Sequence, residues 1–422
     1  MLDKPSFCDF TTGLVSLEVA IDGIKAQIGA IERTEQIPIG DALGRILAHS
    51  LFSPINFPLF DNSAMDGYAL FAEKALEGDV FKVVGVAYAG KPYLGEIGPG
   101  ECVRIFTGAQ IPDGARVVAI QENAMPLADA EGFIRLLRGV SCSENIRFEG
   151  EELVKGDLLV AKGTLLGPGQ LGLIASAGLG HVLVYARPKV AFASTGDELC
   201  DVGHPLARGQ IYDSNRLTLK ALLIEAGMEP IDLGAIPDDA SKIRTSLLEA
   251  AEVADVILTS GGASVGDADF VSSMLSDAGQ VHFWKVAMKP GKPFLFGRLG
   301  KAHFMGLPGN PVSMVLTFLQ LVRPGLMKLS GEMAFEPLKL RAVLQGKIPG
   351  SAERKIFLRG IAYHRDGEIL VEPLSQQGSH QITSITKANV LIVVPPHTGA
   401  QAAGSWVQIE LLPHAQIGSS PT

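Results

Sequence analysis

The sequence is poor in the residues that build metal clusters or disulfide frameworks. It has four cysteines, Cys8, Cys102, Cys142 and Cys200, which are far apart and form no CxxC pair. None of its nine histidines belongs to an HxH or HxxxH pair. These spacings argue against a zinc site, a disulfide scaffold and a metal centre built from histidines. We therefore expect a protein of a reducing compartment.

Long apolar runs and an excess of positive charge are also missing. No stretch reaches the roughly 18 apolar residues of a membrane-spanning helix. The first residues, MLDKPSFCDFTTG, lack the basic and apolar regions of a secretory signal. The 36 basic and 45 acidic residues give a net charge of -9, which argues against a general nucleic-acid binder. We expect a cytoplasmic protein whose partners include neither nucleic acid nor membrane.

The composition that remains is typical of a globular protein with several domains. Hydrophobic residues make up 47% and charged residues 19% of the chain, which excludes a mostly disordered protein. At roughly 150 residues per domain, the 422 residues predict two to four domains. The 48 glycines and 25 prolines follow no collagen-like period. We therefore expect many tight turns that bring backbone close to ligands.

The order of the apolar patterns predicts the fold class. Apolar residues recur at helical spacing near the start, at Leu17, Ala20, Ile21, Ile24 and Ile28. Short β-rich runs follow between about residues 50 and 150, strands alternate with helices from about residue 188, and further strands follow residue 330. We predict an α/β core with a doubly wound, mainly parallel sheet, an inserted β-rich module and a C-terminal β domain. The predicted domains are residues 1–49 with 150–176, 50–149, 177–330 and 331–415.

Two helices of the predicted core carry boundary signals. Ser214 is placed to cap one helix, which Gly227 ends. The next helix is capped near Asp238 or Asp239. Ligands of such sheets collect at the carboxyl ends of the strands, so the loops that follow the strands are the candidates for a site.

Two of these loops combine glycines, hydroxyls and acids. KVAFAS continues into Thr195, Gly196 and Glu198. ADVILTS continues into a polar, glycine-rich loop that contains Ser260, Gly261, Gly262, Ser264, Gly266 and Asp269. Glycines and hydroxyls let backbone N–H groups approach an anion, and carboxylates hold a divalent cation or the ring N–H donors of a heterocycle. The alternative is that the glycines only make turns and the acids only cap helices.

Two further loops favour an oxyanion. Lys289 and Lys292 lie in the proline-stiffened loop KPGKP, which suits phosphate or molybdate because the two cations are held in place. A solvated surface turn is the alternative. The loop GLPGNPVS, with Pro308, Asn310 and Ser313, opens a helix whose N-terminus attracts anions. Together the four loops predict a pocket for a heterocycle that carries phosphate.

The chain contains, in order, the motifs DNSAMDGYA, RIFTGAQIP, STGDEL, IYDSNR, TSGGASVGDADFV, WKVAMKPGKP and GLPGNPVS. In this set, and over nearly its whole length, it resembles the molybdopterin molybdenumtransferase family. The resemblance implies an elongated, four-domain subunit that forms a homodimer, with the active site between the α/β core of one subunit and the inserted module of the other. The implied reaction transfers molybdate to the dithiolene of adenylylated molybdopterin and hydrolytically releases AMP with the help of Mg²⁺.

The resemblance also implies roles for individual residues. Asp66 and Thr107 are expected to reach into the neighbouring subunit's site. Three acids complete the catalytic set, Glu198, Asp238 and Asp269, and Glu198 and Asp269 are the expected metal ligands. The expected substrate-binding residues are Thr195, Gly196, Ser260, Gly261, Gly262, Ser264, Gly266, Lys285, Lys289, Lys292, Pro308 and Asn310. The expected molybdate-binding residues are Lys289, Lys292, Ser313, Arg359 and Ser379.

One loop departs from the family pattern. Where relatives commonly have a basic run followed by Gly-Glu-Asp, this chain has NIRFEGEE at residues 145–152. Phe148 and Glu149 therefore stand in place of cations, and we leave this loop out of the predicted site.

Two other functions compete with this interpretation. A molybdopterin adenylyltransferase shares the glycine-rich acidic loops, but it does not account for the inserted module or the C-terminal domain. A non-catalytic scaffold similar to the gephyrin E domain would leave the anion-binding loops without a use. The resemblance further suggests molybdopterin adenylyltransferase, apo-molybdoenzymes or their chaperones as protein partners. Tungstate is close to molybdate in size and charge, and the sequence does not separate the two.

Overall fold

The computed structural model describes residues 14–261, 279–332, 335–413 and 415–419. The chain divides into two compact units. The core unit comprises residues 1–48, 163–167 and 182–422, and the inserted unit comprises residues 49–162 and 168–181. Strands and helices are numbered along the chain.

A six-stranded sheet forms the centre of the core unit. Its strands lie in the order β18 (Glu229–Ile236), β15 (Lys189–Thr195), β19 (Val256–Ser260), β23 (Ala302–Leu307), β22 (Pro293–Leu299) and β20 (Gly279–Lys285). The first four strands are parallel to one another. Strand β22 is antiparallel to both of its neighbours, β23 and β20. Ser260 pairs with both Ser194 and Leu307, so the carboxyl ends of three neighbouring strands are level. Because β22 is antiparallel to β23, it begins at this same edge of the sheet.

Helices cover both faces of this sheet, because successive side chains of a strand point to opposite faces. Phe192 of β15 packs on one face with α3 (Ser214–Glu225) and α1 (Leu17–Gln27), whereas Ala193 packs on the other with α4 (Ala240–Val253). The predicted stripe of α1 is confirmed, since Leu17, Ala20, Ile24 and Ile28 are buried and Ile21 is partly buried against the same cluster. The helix expected after the GDAD motif lies outside the described residues. Four short strands complete this part, β1 (Thr34–Pro38), β14 (His181–Tyr185), β16 (Leu199–Cys200) and β17 (Ile211–Tyr212).

The starts of two core helices test the capping predictions. Ser214 was the wrong cap, because the carboxylate of Asp213 accepts a hydrogen bond from the backbone N–H of Arg216 and Ser214 is the first helical residue. Gly227 ends this helix with a φ of +77°, as predicted. Asp239 rather than Asp238 caps α4, because its side chain accepts from the N–H of Lys242.

The longest helical stretch, residues 311–329, lies inside the core. It consists of α5 (Pro311–Thr317), a π-helical turn (Phe318–Val322) and α6 (Arg323–Leu329). By length and composition this stretch of 19 residues could cross a membrane, but 89% of its apolar window is buried within the protein. It packs with α1 and with the strands of the sheet in one hydrophobic cluster, so it is a core helix.

The C-terminal part of the core unit is a closed, barrel-like sheet. Its strands are β24 (Lys339–Leu344), β25 (Lys355–Arg365), β26 (Glu368–Pro373), β27 (Val390–Val394) and β28 (Trp406–Leu411), with α7 (Thr383–Lys387) between β26 and β27. The long strand β25 pairs with β27 through its first half and with β26 through its second half, which closes the sheet. The two-residue strand β21 (Met288–Lys289) pairs in parallel with the start of β25. This pairing places the KPGKP loop beside the barrel.

The inserted unit is built around a second six-stranded sheet. In spatial order its strands are β8 (Val117–Ile120), β4 (Gly67–Leu70), β7 (Glu101–Ile105), β6 (Val80–Ala87), β10 (Phe133–Leu136) and β9 (Ala124–Pro126). The β-rich texture predicted for this region is confirmed. The remaining elements are β2 (Leu51–Phe52), β3 (Asn62–Ser63), β5 (Lys74–Ala75), β11 (Val140–Ser141), β12 (Ile146–Arg147), β13 (Leu158–Val160) and α2 (Pro168–Ser176).

Candidate active site

A cavity of about 580 Å³ lies at the carboxyl ends of the parallel strands. We call it the acidic cavity because the carboxylates of Glu198, Asp213 and Asp238 line it. The loops after β15, β18, β19 and β23 all contribute to its wall. The predicted residues that it brings together are Thr195, Gly196, Glu198, Asp238, Ser260, Gly261, Pro308 and Asn310.

Two glycines allow these loops to approach one another closely. A Cβ on Gly261 would lie 2.6 Å from the carbonyl oxygen of Thr195, and Gly261 has a φ of +96°. Gly196, with a φ of +147°, lies directly against the carboxylate of Glu198. Both positions therefore require glycine. The hydroxyl of Thr195 is buried and has no hydrogen-bond partner among the described residues, and Thr195 lines the cavity.

Two polar residues that organise this cavity were not predicted from the sequence. Asn215 donates one hydrogen bond to Ser260 Oγ at 2.8 Å and another to the carbonyl of Gly309 at 2.7 Å, which ties two loops together. Asp213 is 2% exposed and accepts from the hydroxyl of Ser194 at 3.0 Å. Both lie in the IYDSNR motif. A short polar motif at the start of a helix was the available signal, but helix capping accounts for it equally well.

A second cavity, of about 740 Å³, lies between the core sheet and the barrel. It contains the whole predicted molybdate-binding set, Lys289, Lys292, Ser313, Arg359 and Ser379. Lys347 and Arg354 of the barrel also line it, although neither was predicted from the sequence to be a site residue. We call it the cationic cavity because, within the described part of the chain, five basic side chains and no carboxylate line it.

Arg359 is the one buried cation among these lining residues, with 1% of its surface exposed. Its Nε donates to the hydroxyl of Ser384 at 3.1 Å, and its terminal nitrogens donate to backbone carbonyls, including Gly378 O at 3.3 Å. No described carboxylate is among its partners. Burial lowers the pKa of this guanidinium to about 10, so it remains charged at neutral pH. A buried cation without a counter-ion is electrostatically prepared to receive an anion.

The KPGKP loop is held against the core helix by close packing. Gly291 has a φ of +108°, and a Cβ there would lie 2.5 Å from the hydroxyl oxygen of Thr317, which is fully buried. The loop can therefore lie flat on the helix only with glycine at this position, and its two lysines then flank the cavity.

This packing predicts the effect of Gly291→Ala. Backbone strain and the clash with Thr317 together are expected to lower the free energy of unfolding by about 1–3 kcal/mol and to weaken oxyanion binding as Lys289 and Lys292 move. Gly209→Ala is the control, since Gly209 has a φ of +91° and open space around its Cβ position. Urea unfolding and a molybdate titration measure the two effects, and equal behaviour of the two variants would contradict the packing argument.

The two cavities adjoin one another. Pro293 lines both of them, and the neighbouring residues Ser379 and His380 line the cationic and the acidic cavity respectively. A single ligand can therefore bind with an anionic group in the cationic cavity and extend into the acidic cavity.

Asp66 and Thr107 form a hydrogen-bonded pair within the inserted unit. The backbone N–H and the hydroxyl of Thr107 both donate to Asp66 Oδ1 at 2.8 Å. Both bonds lower the pKa of Asp66, and the bond from the backbone N–H has the larger effect. The positive charge of Arg104 also lowers this pKa. The guanidinium of Arg104 stacks over the rings of Tyr68 and Phe106, which fixes it near the pair. The structure thus keeps Asp66 ionised.

The divergent loop 145–152 is used inside its own unit. Asn56 donates to the carboxylate of Glu149 at 2.5 Å, and the N–H of Glu149 donates to Asp61 at 2.7 Å. Asn145 donates to the carbonyl of Val118 at 2.8 Å. These contacts give the acid a structural role in place of a cation.

Some predicted residues are not brought to the cavities. Lys285 ends β20 and lines neither cavity. Gly262, Ser264, Gly266 and Asp269 lie outside the described residues. Within the described ranges, no group of three or more histidine, cysteine, aspartate or glutamate side chains could hold a metal ion. The carboxylates of Glu198 and Asp238 and the unpartnered hydroxyl of Thr195 are nevertheless the hard oxygen donors that Mg²⁺ prefers, and Mg²⁺ usually takes its remaining ligands from water and substrate phosphates.

Comparison with known proteins agrees with this geometry. Three family models match in order, the MoeA N-terminal region (domain I and II) over residues 15–178, a probable molybdopterin binding domain over residues 191–328, and the MoeA C-terminal region (domain IV) over residues 341–412. A molybdopterin molybdenumtransferase of Haemophilus influenzae is 41% identical over 95% of this chain and 99% of its own length. One of Bacillus subtilis is 34% identical over 90% of each chain.

A solved structure shows the same relationship in three dimensions. The molybdopterin biosynthesis MoeA protein of Pyrococcus horikoshii OT3 is 30% identical, covers 95% of this chain and 100% of its own, and superposes with a TM-score of 0.82. Family models, sequence relatives and a solved structure thus agree over almost the whole chain. The chain belongs to the molybdopterin molybdenumtransferase (MoeA) family of enzymes of molybdenum cofactor biosynthesis.

Proposed function

We propose that this protein inserts molybdenum into the molybdenum cofactor, by transferring molybdate to the dithiolene of adenylylated molybdopterin with hydrolytic release of AMP. The observation that supports this most directly is the buried guanidinium of Arg359, which has no carboxylate partner among the described residues, in a cavity that also contains Lys289, Lys292, Ser313 and Ser379. Molybdate is a dianion, and a dianion is held by cations and hydroxyls on stiff loops.

The acidic cavity supplies a place for the nucleotide-bearing substrate. Its glycines and hydroxyls at the strand ends suit a phosphate and a heterocycle. Mg²⁺, when bound, neutralises charge on the phosphoanhydride and polarises it for hydrolysis. Glu198 is the proposed ligand within the described residues, with Asp269 as the second. Asp238 and Thr195, which line the same cavity, are the residues proposed to orient the substrate or its attacking water.

The proposal includes a homodimer in which Asp66 and Thr107 complete the partner subunit's site. It also includes the doubly wound arrangement of the core, which the helices on both faces of the sheet support, and the division into four domains at the predicted boundaries. We further propose a cytoplasmic location. Molybdopterin adenylyltransferase would supply the substrate, and apo-molybdoenzymes or their chaperones would take the product.

The adenylyltransferase alternative leaves the barrel without a role. Arg359 and Ser379 of the barrel face the same cavity as Lys289 and Ser313 of the core, and an enzyme that only transfers an adenylyl group does not need this oxyanion site.

The test is AMP release from adenylylated molybdopterin by the purified protein, with and without molybdate and Mg²⁺. Product is measured by reconstitution of an apo-molybdoenzyme, and tungstate in place of molybdate measures the selectivity between the two oxyanions. Release that depends on both ions and yields active cofactor is the expected result. Tight substrate binding without release under any ion condition would instead indicate a scaffold.

Lys347 and Arg354 predict a kinetic effect. Lys347 is exposed and Arg354 half-buried at the cationic cavity, so their charges attract molybdate before it reaches Arg359. The double variant K347Q/R354Q is expected to slow molybdate association about tenfold at low salt and to reduce its dependence on ionic strength. Stopped-flow binding measures this, with Lys301→Gln as the surface control. An unchanged association rate would remove these residues from the entry path.

A further inference from the structure

His380 occupies the junction of the two cavities. It lines the acidic cavity, the preceding Ser379 lines the cationic cavity, and Pro293 lines both. The resemblance to the family implied no role for His380. Its position is where a group bound in one cavity meets a group bound in the other.

The loop that carries His380 is anchored from several sides. The N–H of Val312 donates to Ser379 O at 3.0 Å, and Arg359 donates to Gly378 O at 3.3 Å. The N–H of Gly378 donates to the side chain of Gln381 at 2.7 Å. A Cβ on Gly378 would lie 3.0 Å from Cε1 of His380, so the imidazole rests against bare backbone. The side chain of His380 is exposed, and the backbone that carries it is fixed to both the core helix and Arg359.

The other ionisable side chains described in the two cavities are carboxylic acids, a phenol and strong bases. The acidic cavity that His380 lines is also lined by three carboxylates and a phenol, Glu198, Asp213, Asp238 and Tyr212. The cationic cavity beyond Ser379 has the basic side chains Lys289, Lys292, Lys347, Arg354 and Arg359. Histidine is the side chain that ordinarily gains and loses a proton near neutral pH. Among the described residues that line the two cavities, His380 is the one histidine.

The proposed reaction needs a proton carrier at this junction. If the dithiolene enters as its dithiol, two Mo–S bonds form, one Mo–O bond breaks, and the two thiol protons leave with the released oxygen as water. The molybdate oxygens lie among the cationic side chains, while the pterin approaches from the acidic cavity. Sulfur and oxygen meet on the same molybdenum atom where the two cavities adjoin, so a carrier of these protons has to lie at that junction.

We propose that His380 is a catalytic residue of molybdate insertion, whose imidazole takes the two dithiolene thiol protons one after the other and delivers both to the departing molybdate oxygen, which leaves as water. This inference rests on the proposed function and adds the proton path to it. The imidazole ends the step in its starting form, so no further reactant is required.

The test uses the full-length protein with His380→Ala and His380→Gln, and His364→Gln on an exposed part of the barrel as the control. The rate of molybdate insertion into pre-bound substrate is measured in a single turnover across pH 6 to 9. His380→Ala is expected to slow insertion about 100-fold at neutral pH, to lose the inflection of the wild-type pH profile, and to regain part of the rate with added imidazole. Molybdate binding, followed by thermal shift, is expected to stay at the wild-type level.

Failure of this proposal is separable from failure of the proposed function. A wild-type protein that inserts no molybdate contradicts the function itself. An active wild type whose His380→Ala variant keeps the normal rate, keeps the pH inflection, or loses molybdate binding overturns the role of His380. A slow variant that keeps molybdate binding and recovers with imidazole supports it, because a merely structural role would not respond to imidazole.

Discussion

An equimolar mixture of Asp66→Asn and Glu198→Gln subunits is expected to recover about one quarter of the wild-type rate of AMP release, although each variant alone is nearly inactive. In the proposed dimer each site combines the core of one subunit with the inserted module of the other. Random pairing makes about half of the dimers mixed, and each mixed dimer contains one site with both native acids. Because half of the dimers have one active site out of two, about one quarter of all sites are active.

The choice of Asp66→Asn isolates the charge of this residue. Both hydrogen bonds from Thr107 end on the single oxygen Oδ1, and an asparagine keeps an acceptor there. We therefore expect each variant to fold normally and to lose at least about 100-fold in rate, as removal of a preorganised charged group does. Asp113→Asn, in an exposed turn of the same unit, is the control and is expected to keep full activity.

A second mixture shows whether the recovery reflects a shared site. Glu198 and Arg359 both lie in the core unit, so a mixed dimer of Glu198→Gln and Arg359→Met has no intact site and is expected to stay inactive. Tagged subunits allow the mixed dimers to be purified and counted. Mixed dimers of Asp66→Asn and Glu198→Gln without activity would show that Asp66 does not act in the partner's site.

Replacement of Arg359 by methionine is expected to abolish most molybdate binding while leaving the protein folded. A charge-assisted hydrogen bond contributes about 1.5–3 kcal/mol, so the loss of this guanidinium should weaken binding about 100-fold. At a molybdate concentration of 100 times the wild-type dissociation constant, stabilisation by the ligand falls from about 2.7 to about 0.4 kcal/mol. Thermal unfolding with and without molybdate measures this difference directly.

The pKa of Arg359 sets the expected effect on stability. Because burial lowers its pKa to about 10 in the folded protein, the unfolded chain binds this proton more tightly than the folded one. The charged guanidinium therefore opposes folding at every pH below about 10, and this cost is relieved only as the pH rises above that value. At pH 7 Arg359→Met, which removes the cost together with several hydrogen bonds, is expected to stay within about 2 kcal/mol of the wild-type free energy of unfolding.

Two further variants test whether the effect comes from the buried charge of Arg359. Arg359→Lys keeps a positive charge without the planar fork of donors and is expected to bind molybdate with intermediate affinity. Arg365→Met makes the same change at an exposed position of the same strand and is expected to bind normally. Wild-type affinity in Arg359→Met, or equal losses in Arg359→Met and Arg365→Met, would contradict the role of the buried cation.

Local sequence patterns determined much of the fold. The stripe of α1, the strands of the barrel and the strands that end at Thr195, Ser260 and Leu307 were readable because side-chain periodicity and turn residues act over a few residues. For the same reason the loops that bear the candidate site could be identified. Helix starts were less certain, because Asp213 and Ser214 are both good caps and only the backbone geometry selects between them.

The site itself combined two kinds of sequence information. Glycines, acids and lysines after strands indicated an anion pocket, whereas Asp66, Thr107, Arg359 and Ser379 were identified through the resemblance to a family. Nothing in the local pattern of FLRG distinguishes Arg359 from an ordinary strand arginine. Its significance appears only when burial and the absence of a carboxylate among its described partners are known.

The sequence by itself therefore determined the strands, the loops after them and the family of this protein, because each of these depends on short segments or on their order. Only the tertiary structure decided that Lys289 and Ser313 share a cavity with Arg359 and Ser379. That arrangement depends on the pairing of the two-residue strand β21 with β25, which is too short to produce a periodic signal. It also decided the position of His380 between the two cavities, because contacts between distant segments leave no trace in local periodicity.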